Sequence, residues 1–179
     1  DPRPHVKLAL FILTTTFALK AAPVTALRFA PDGKYLLIGR TRAIEVRAVT
    51  DKEKTRKIPC GFDKIMALTF SSDGKTLAVA GGTPGDVGGV HLLDWPSGKV
   101  IGKWDVFEDV ATCVEFGVAA NILAGSADSS ILLLDQRRED RVIRRFEGHT
   151  KAVRGLALAP GGKMLVSVSS DRTLKSWNF

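Results

Sequence analysis

The sequence predicts an all-β protein in which one small antiparallel sheet is repeated four times. Three observations carry that prediction. Seventeen glycines and eight prolines stand against one tyrosine and three tryptophans, a turn-rich composition that favours short strands. One segment pattern returns four times, its last apolar residue falling at positions 29, 70, 116 and 158, with spacings of 41, 46 and 42. Each copy ends in period-2 alternation, and three of the four run straight into a turn of the Asp-Gly-Lys or Gly-Gly-Lys type.

The first strand of each unit sets Leu27 and Phe29, Leu68 and Phe70, Val114 and Phe116, and Leu156 and Leu158 on one face, which is expected to be packed. The opposite face is small at one column: Ala26, Ala67, Cys113 and Gly155. Small side chains there imply crowding where the first strands converge on an axis. In the turns Pro31-Asp-Gly-Lys34 and Ser72-Asp-Gly-Lys75, Gly takes positive φ and Asp caps nearby amides. Second strands follow at Tyr35–Ile38, Thr76–Ala80, Ile122–Ala124 and Met164–Val168. Third strands read Ala43–Val46, Val90–Leu93, Ile131–Leu134 and Leu174–Trp177. More polar fourth strands read Lys99–Trp104 and Arg141–Phe146. A four-stranded unit of this size cannot bury both faces alone, whereas a radial array lets each sheet cover its neighbours, which is the β-propeller solution.

The 179 residues (19.3 kDa) suffice for one domain, or about half of a large repeat protein. With 45% hydrophobic and 25% charged residues, global disorder is excluded. Two cysteines, Cys60 and Cys113, provide neither a disulfide framework nor a CxxC zinc motif. Most of the net charge of +7 comes from residues 51–57 and 137–154, both interrupted by acids. Solvated loops or edge strands account for such stretches, because Lys and Arg discourage edge-to-edge pairing. Lys7, the apolar run 8–13 and the small residues up to Ala22 have the layout of a signal peptide, and the run is too short to span a bilayer. Residues 1–22 are therefore expected to be a leader. The protein is expected to be exported, to the periplasm or outside the cell, if residues 6–22 are a signal peptide, and cytoplasmic otherwise.

The last unit, with Gly148-His149, Pro160-Gly-Gly-Lys163, Ser167, Asp171-Arg-Thr173 and Trp177-Asn178, resembles the WD-repeat β-propeller family. That resemblance implies a hydrogen-bonded structural tetrad of His149, Ser167, Asp171 and Trp177, with Ser169 as an alternative to Ser167. The other units depart from the pattern. Leu93-Asp94, Leu134-Asp135 and Val46-Arg47 stand at the Trp-Asp position, and only Asp128 repeats the turn aspartate clearly. Blades at about 23–59, 60–105, 106–147 and 148–179 are expected, as part of a ring of about seven. Degenerate repeats, the Gly-rich insertion at 81–89 and the leader-like start are similar to exported bacterial WD-repeat proteins. Missing blades, a second copy, or an N-terminal strand would close the circle.

No residues recommend themselves for catalysis, a cofactor or a metal. His5, His91 and His149 lie far apart. His91 reads as an exposed or satisfied strand residue, and Cys113 as a small buried one. The Gly81–Gly89 stretch lacks the Gly-Lys-Ser/Thr ending of a phosphate loop and reads as a long turn. Asp32, Asp73, Asp94, Asp128 and Asp171 all sit where turns favour Asp. The expected function is that of a non-catalytic scaffold presenting loops to a protein or peptide partner, with Thr83, Pro84, Asp86 and Val87 as the candidate binding loop. The alternative is a nucleic-acid-associated propeller using Arg137, Arg138, Arg141, Arg144 and Arg145 in the basic segment 137–154; of the two classes of partner, nucleic acid is the less expected.

Overall fold

A computed structural model describes residues 23–51, 53–118, 121–138 and 141–178. The expected leader at 1–22 lies outside the described residues. Fifteen strands and no helix are present among them. Blade 1 contains β1 (Ala26–Phe29), β2 (Tyr35–Arg40), β3 (Ala43–Ala48) and β4 (Thr55–Pro59). Blade 2 contains β5 (Lys64–Phe70), β6 (Thr76–Thr83), β7 (Val87–Asp94) and β8 (Val100–Phe107). Blade 3 contains β9 (Ala111–Phe116), β10 (Asn121–Ser126), β11 (Ile131–Asp135) and β12 (Val142–Phe146). Blade 4 has three strands, β13 (Val153–Leu158), β14 (Met164–Ser169) and β15 (Leu174–Asn178). Each sheet is an antiparallel meander in chain order. The expected boundary after residue 105 falls inside β8, which continues to Phe107.

The first strands touch in succession, β1 with β5, β5 with β9 and β9 with β13, so they form the inner wall of the array. The small column is indeed crowded. A Cβ on Gly39 would lie 2.9 Å from Ile65 and 3.0 Å from Ala26, and one on Gly125 would lie 2.7 Å from Val153 and 2.9 Å from Cys113. Burial pushes the Cys113 thiol up to about 11, so it stays protonated and acts as packing. The hub is also tied by hydroxyls: Thr25 Oγ1 donates to the Ile65 carbonyl, and Thr112 Oγ1 donates to Val153 O at 2.5 Å.

Three apolar clusters fill the gaps between successive blades. The first joins Leu37, Ile44, Val46 and Ile58 of blade 1 to Ile65, Leu68, Leu77 and Leu93 of blade 2. The next lies between blades 2 and 3, around Trp104 and Phe107, and the last between blades 3 and 4, around Phe146 and Leu165. At the outer strands, side chains donate across each gap to a carbonyl near the end of, or just beyond, the next blade's third strand. These are Arg56 to Pro96, Trp104 Nε1 to Arg138 O (3.2 Å), and Arg144 Nη1 to Asn178 O (2.9 Å).

Three expectations are corrected. Leu27 and Phe29 are exposed, because their face of blade 1 looks away from blade 2 and has no sheet upon it among the described residues. The register pairs Leu36 with Arg47, as Leu165 pairs with Trp177, so Arg47 rather than Val46 occupies the Trp position of blade 1. There Arg47 and Arg40 both hold Glu45, at 2.6 Å each. His91, expected to be exposed or satisfied, is buried, stacked on Phe62 with centroids 4.0 Å apart, and its Nε2 makes no hydrogen bond.

Candidate partner-binding face

The four tetrad side chains meet in blade 4. Trp177 Nε1 donates to Ser167 Oγ at 2.9 Å, Ser167 Oγ lies 2.8 Å from His149 Nε2, and His149 Nδ1 lies 2.8 Å from Asp171 Oδ2. Because the carboxylate can only accept, Nδ1 carries the proton and Nε2 accepts from the serine. The chain of donors thus runs from indole to hydroxyl to imidazole to carboxylate. Ser169 lies elsewhere, donating to Lys151 O at 2.8 Å. Blades 2 and 3 have Val79 with Leu93, and Ala124 with Leu134, at the Ser and Trp positions. Blade 3 keeps one half of the device. Asp128 accepts from Ser130 N at 2.8 Å and from Glu108 N at 3.1 Å, as Asp171 accepts from Thr173 N at 2.8 Å and from Thr150 N at 3.1 Å.

The insertion at 81–89 is not a long turn. Gly81 pairs with Gly89, Gly82 with Gly88 and Thr83 with Val87, so β6 and β7 continue as a ladder almost to the tip. Only Pro84, Gly85 and Asp86 form the turn, closed by Asp86 N to Thr83 O at 3.1 Å. Of the four candidate binding residues, Pro84 and Asp86 are exposed, and Thr83 and Val87 are half-buried at the strand ends.

Two aspartates that sequence reading missed hold this tip. Thr83 Oγ1 donates to Asp63 Oδ2 at 3.2 Å, while Asp63 Oδ1 pairs with Arg42 Nε of blade 1 at 2.6 Å. On the other side, Gly85 N donates to Asp109 Oδ1 at 2.9 Å, and Val110 N donates to the same oxygen at 2.7 Å. The hairpin tip is therefore fastened to the incoming loops of blades 2 and 3. Asp63 and Asp109 each stand two residues before the first core residue of their strand, Ile65 and Ala111, a shared register position that the repeat spacing contains. A cavity beside the tip is bounded by Lys64, Met66, Pro84, Thr112 and Arg154, next to the inner strands.

Three carboxylates on this framework lie below the usual range. Asp63 is lowered by the Arg42 bond and then by Thr83, Asp109 by the Gly85 and Val110 amides, and Asp171 first by Thr173 and then by His149. Each binds fewer protons folded than unfolded, so its stabilisation is complete above the ordinary carboxylate range and is lost as pH falls through the lowered value. Glu115, raised by burial, acts in the opposite sense. The net expectation is a melting temperature that falls steadily from about pH 5 to pH 2. Asp171→Asn should flatten that fall, and a parallel profile for the variant would contradict the assignment.

Among the described residues no cluster of three or more His, Cys, Asp or Glu could hold a metal. Cys60 Sγ lies 3.9 Å from His91 Nδ1, and Asp105 Oδ1 lies 3.3 Å from Nε2, outside hydrogen-bonding geometry. Burial raises the Cys60 thiol and lowers His91, so both stay neutral near pH 7, an arrangement unlike an activated nucleophile. In the basic segment, Arg141 pairs with Asp135 at 3.4 Å and Arg144 bonds Asn178 O, so two of the five arginines serve the blades. The exposed outer strands β4 and β12 carry much of the basic stretches, where Lys and Arg side chains discourage another strand from pairing with the sheet edge. No helix among the described residues is long and apolar enough to cross a membrane.

Three four-stranded sheets and a three-stranded fourth, packed through successive inner strands and the last held by a His-Ser-Asp-Trp hydrogen-bond chain, have the architecture of β-propeller blades. The model of the family described as WD domain, G-beta repeat, matches residues 140–178, so the chain is similar to WD-repeat proteins over that stretch. It is 28% identical over 187 residues to nuclear distribution protein PAC1 of Coccidioides posadasii, covering 87% of this chain and 38% of that protein. It is 27% identical over 155 residues to Protein hir1 of Schizosaccharomyces pombe, covering 86% and 14%. With Protein ROOT INITIATION DEFECTIVE 3 of Arabidopsis thaliana it shares 32% identity over 130 residues, covering 65% and 29%. The chain thus spans well under half the length of these relatives. They are fungal and plant proteins and lend no support to the similarity with exported bacterial ones.

Proposed function

We propose that this chain is a non-catalytic interaction scaffold that captures a protein or peptide partner on the face carrying the β6–β7 hairpin tip. The observation that carries the reading is the double fastening of the tip, through Thr83 to Asp63 and through Gly85 to Asp109. A tip held by two blades presents Pro84 and Asp86 in one arrangement, so little conformational entropy is lost when a partner docks. The adjoining cavity is lined by half-buried Met66 and exposed Pro84 together with exposed Lys64 and Arg154, so apolar and cationic groups stand side by side. That mixture suits a short peptide better than a flat protein surface.

The test replaces residues 83–87 by a two-residue Asn-Gly turn, which suits a shortened hairpin. Peptides selected from a displayed library on the immobilised full chain should bind the parent and lose at least tenfold in affinity for the shortened variant. The variant should still fold, with a melting temperature lowered modestly by the loss of the two fastening hydrogen bonds, about 1 kcal/mol each. Equal binding by both proteins would overturn the assignment of the tip.

A further inference from the structure

We propose that His91 is a proton-operated latch on the hairpin tip, holding the loop at residues 60–63 closed while its ring is neutral and releasing it when the ring takes a second proton. Regulation of this kind rests on the tip being the capturing element. The ring projects from β7 beside the cluster between blades 1 and 2, with 5% of the side chain exposed. The loop that joins β4 to β5 covers it. Phe62 stacks on the ring at an interplanar angle of 27°, Cys60 Sγ lies 3.9 Å from Nδ1, and a Cβ on Gly61 would stand 3.7 Å from Cε1. One residue further along the same loop is Asp63, which takes the Thr83 hydroxyl of the tip and the Arg42 guanidinium of blade 1. Movement of the loop therefore reaches the tip through a single side chain.

Among the described residues, the charged or titratable groups that face the ring are Cys60 from the loop and Lys103 and Asp105 from β8. Asp105 Oδ1 stands 3.3 Å from Nε2, off the line of a hydrogen bond, and its negative charge favours the tautomer that carries the proton on Nε2. Nδ1 is then the basic nitrogen, so the second proton arrives against Cys60. A thiol is a weak acceptor, and burial keeps that thiol protonated and makes the imidazole harder to charge. A closed imidazolium would hold its new N–H without a good acceptor, whereas an outward swing of the loop gives that N–H to water. With the loop open the imidazole regains its ordinary basicity, so the closed form binds fewer protons. Its advantage is complete above the ordinary histidine range and shrinks below about pH 6.5, by up to about tenfold in the open fraction per pH unit. Asp63 and Asp109, both held below the usual carboxylate range, stay ionised in that window, so release through His91 is separate from acid loss of the fastening bonds.

The test follows the full chain from pH 7 to pH 5. Cys60 N donates to Arg42 O at 2.8 Å, so protection of that amide against hydrogen exchange, corrected for the intrinsic rate, reports on the loop. Protection should fall at least tenfold across this range in the parent and stay level in His91→Phe, which keeps an aromatic ring against Phe62 and cannot titrate. Two substitutions at exposed positions test the latch without touching the buried ring. Lys103→Gln should move the loss to higher pH and Asp105→Asn to lower pH, because the ammonium opposes the charged ring and the carboxylate favours it. Peptides selected on the parent at pH 7 should bind at least tenfold more weakly at pH 5, and should hold to His91→Phe at both. Level protection in the parent, an equal loss in His91→Phe, or a loss whose pH neither charge variant moves would overturn the latch and leave capture at pH 7 standing. Loss of protection with unchanged capture would support the latch and overturn the binding role of the tip.

Discussion

Trp104→Ala should lower stability by about 3–5 kcal/mol, the usual cost of truncating a fully buried aromatic. At roughly 2–4 °C per kcal/mol for a domain of this size, the melting temperature should fall by roughly 6–20 °C. The indole is fully buried in the cluster between blades 2 and 3, with Val90, Leu92, Leu132 and Leu134. It lies over Gly102, where a Cβ would come within 2.7 Å of the ring. The surrounding strands are held by their ladders and cannot collapse to fill the space, so the cavity cost adds to the transfer cost. Its Nε1 also donates to Arg138 O, the blade 2–3 member of the outer ties. Trp104→Phe separates the two contributions. It keeps most of the apolar area and loses the hydrogen bond, at about 1 kcal/mol for the bond itself, with a further cost for the smaller ring. Urea unfolding of the three proteins provides the measurement, and an alanine variant within about 1 kcal/mol of the parent would contradict this view of the junction.

The repeat and its turns were legible because they are local. Period-2 alternation locates β1, β5, β9 and β13, and every turn aspartate noted from sequence accepts a local bond. Asp32 takes Lys34 N at 2.9 Å, Asp73 takes Lys75 N at 3.0 Å, and Asp94 takes the Ser97 hydroxyl at 2.5 Å. The tetrad residues of blade 4 were legible through one well-kept unit. What escaped was set between blades. Asp63 and Asp109 bind a hairpin 20 and 24 residues away, and nothing local distinguishes them from solvated loop acids. Leu27 has the pattern of a core residue, but periodicity reports which face a side chain takes and is silent on whether a sheet lies upon it. Arg47 shows how a register fixed by pairing outranks one fixed by motif, since the dipeptide pattern pointed one residue too early.

The glycines of the β6–β7 hairpin show most clearly how a signal for a turn can mean close backbone approach. Gly88→Ala should cost about 3 kcal/mol, at the upper end of overpacking, and should release the tip. A Cβ at Gly88 would stand 1.9 Å from Asp109 O and 2.6 Å from Ala111 N, and both are main-chain atoms of the neighbouring blade. No rotamer change relieves that contact, so either the hairpin or the loop before β9 must move. Movement there pulls Gly85 N away from Asp109 Oδ1. Gly85→Ala is the control on the same hairpin. Nothing lies within 4 Å of a Cβ there, and the only penalty is its φ of +70°, about 1 kcal/mol. Hydrogen exchange at residue 85 distinguishes the two: protection of that amide should fall at least tenfold in Gly88→Ala and change little in Gly85→Ala. Peptide capture should follow the same order, because the proposed face depends on the tip being fastened rather than on the side chain at its apex. Equal stability and equal protection in the two variants would mean that the hairpin does not rest on blade 3, and the rigid tip would lose its physical basis.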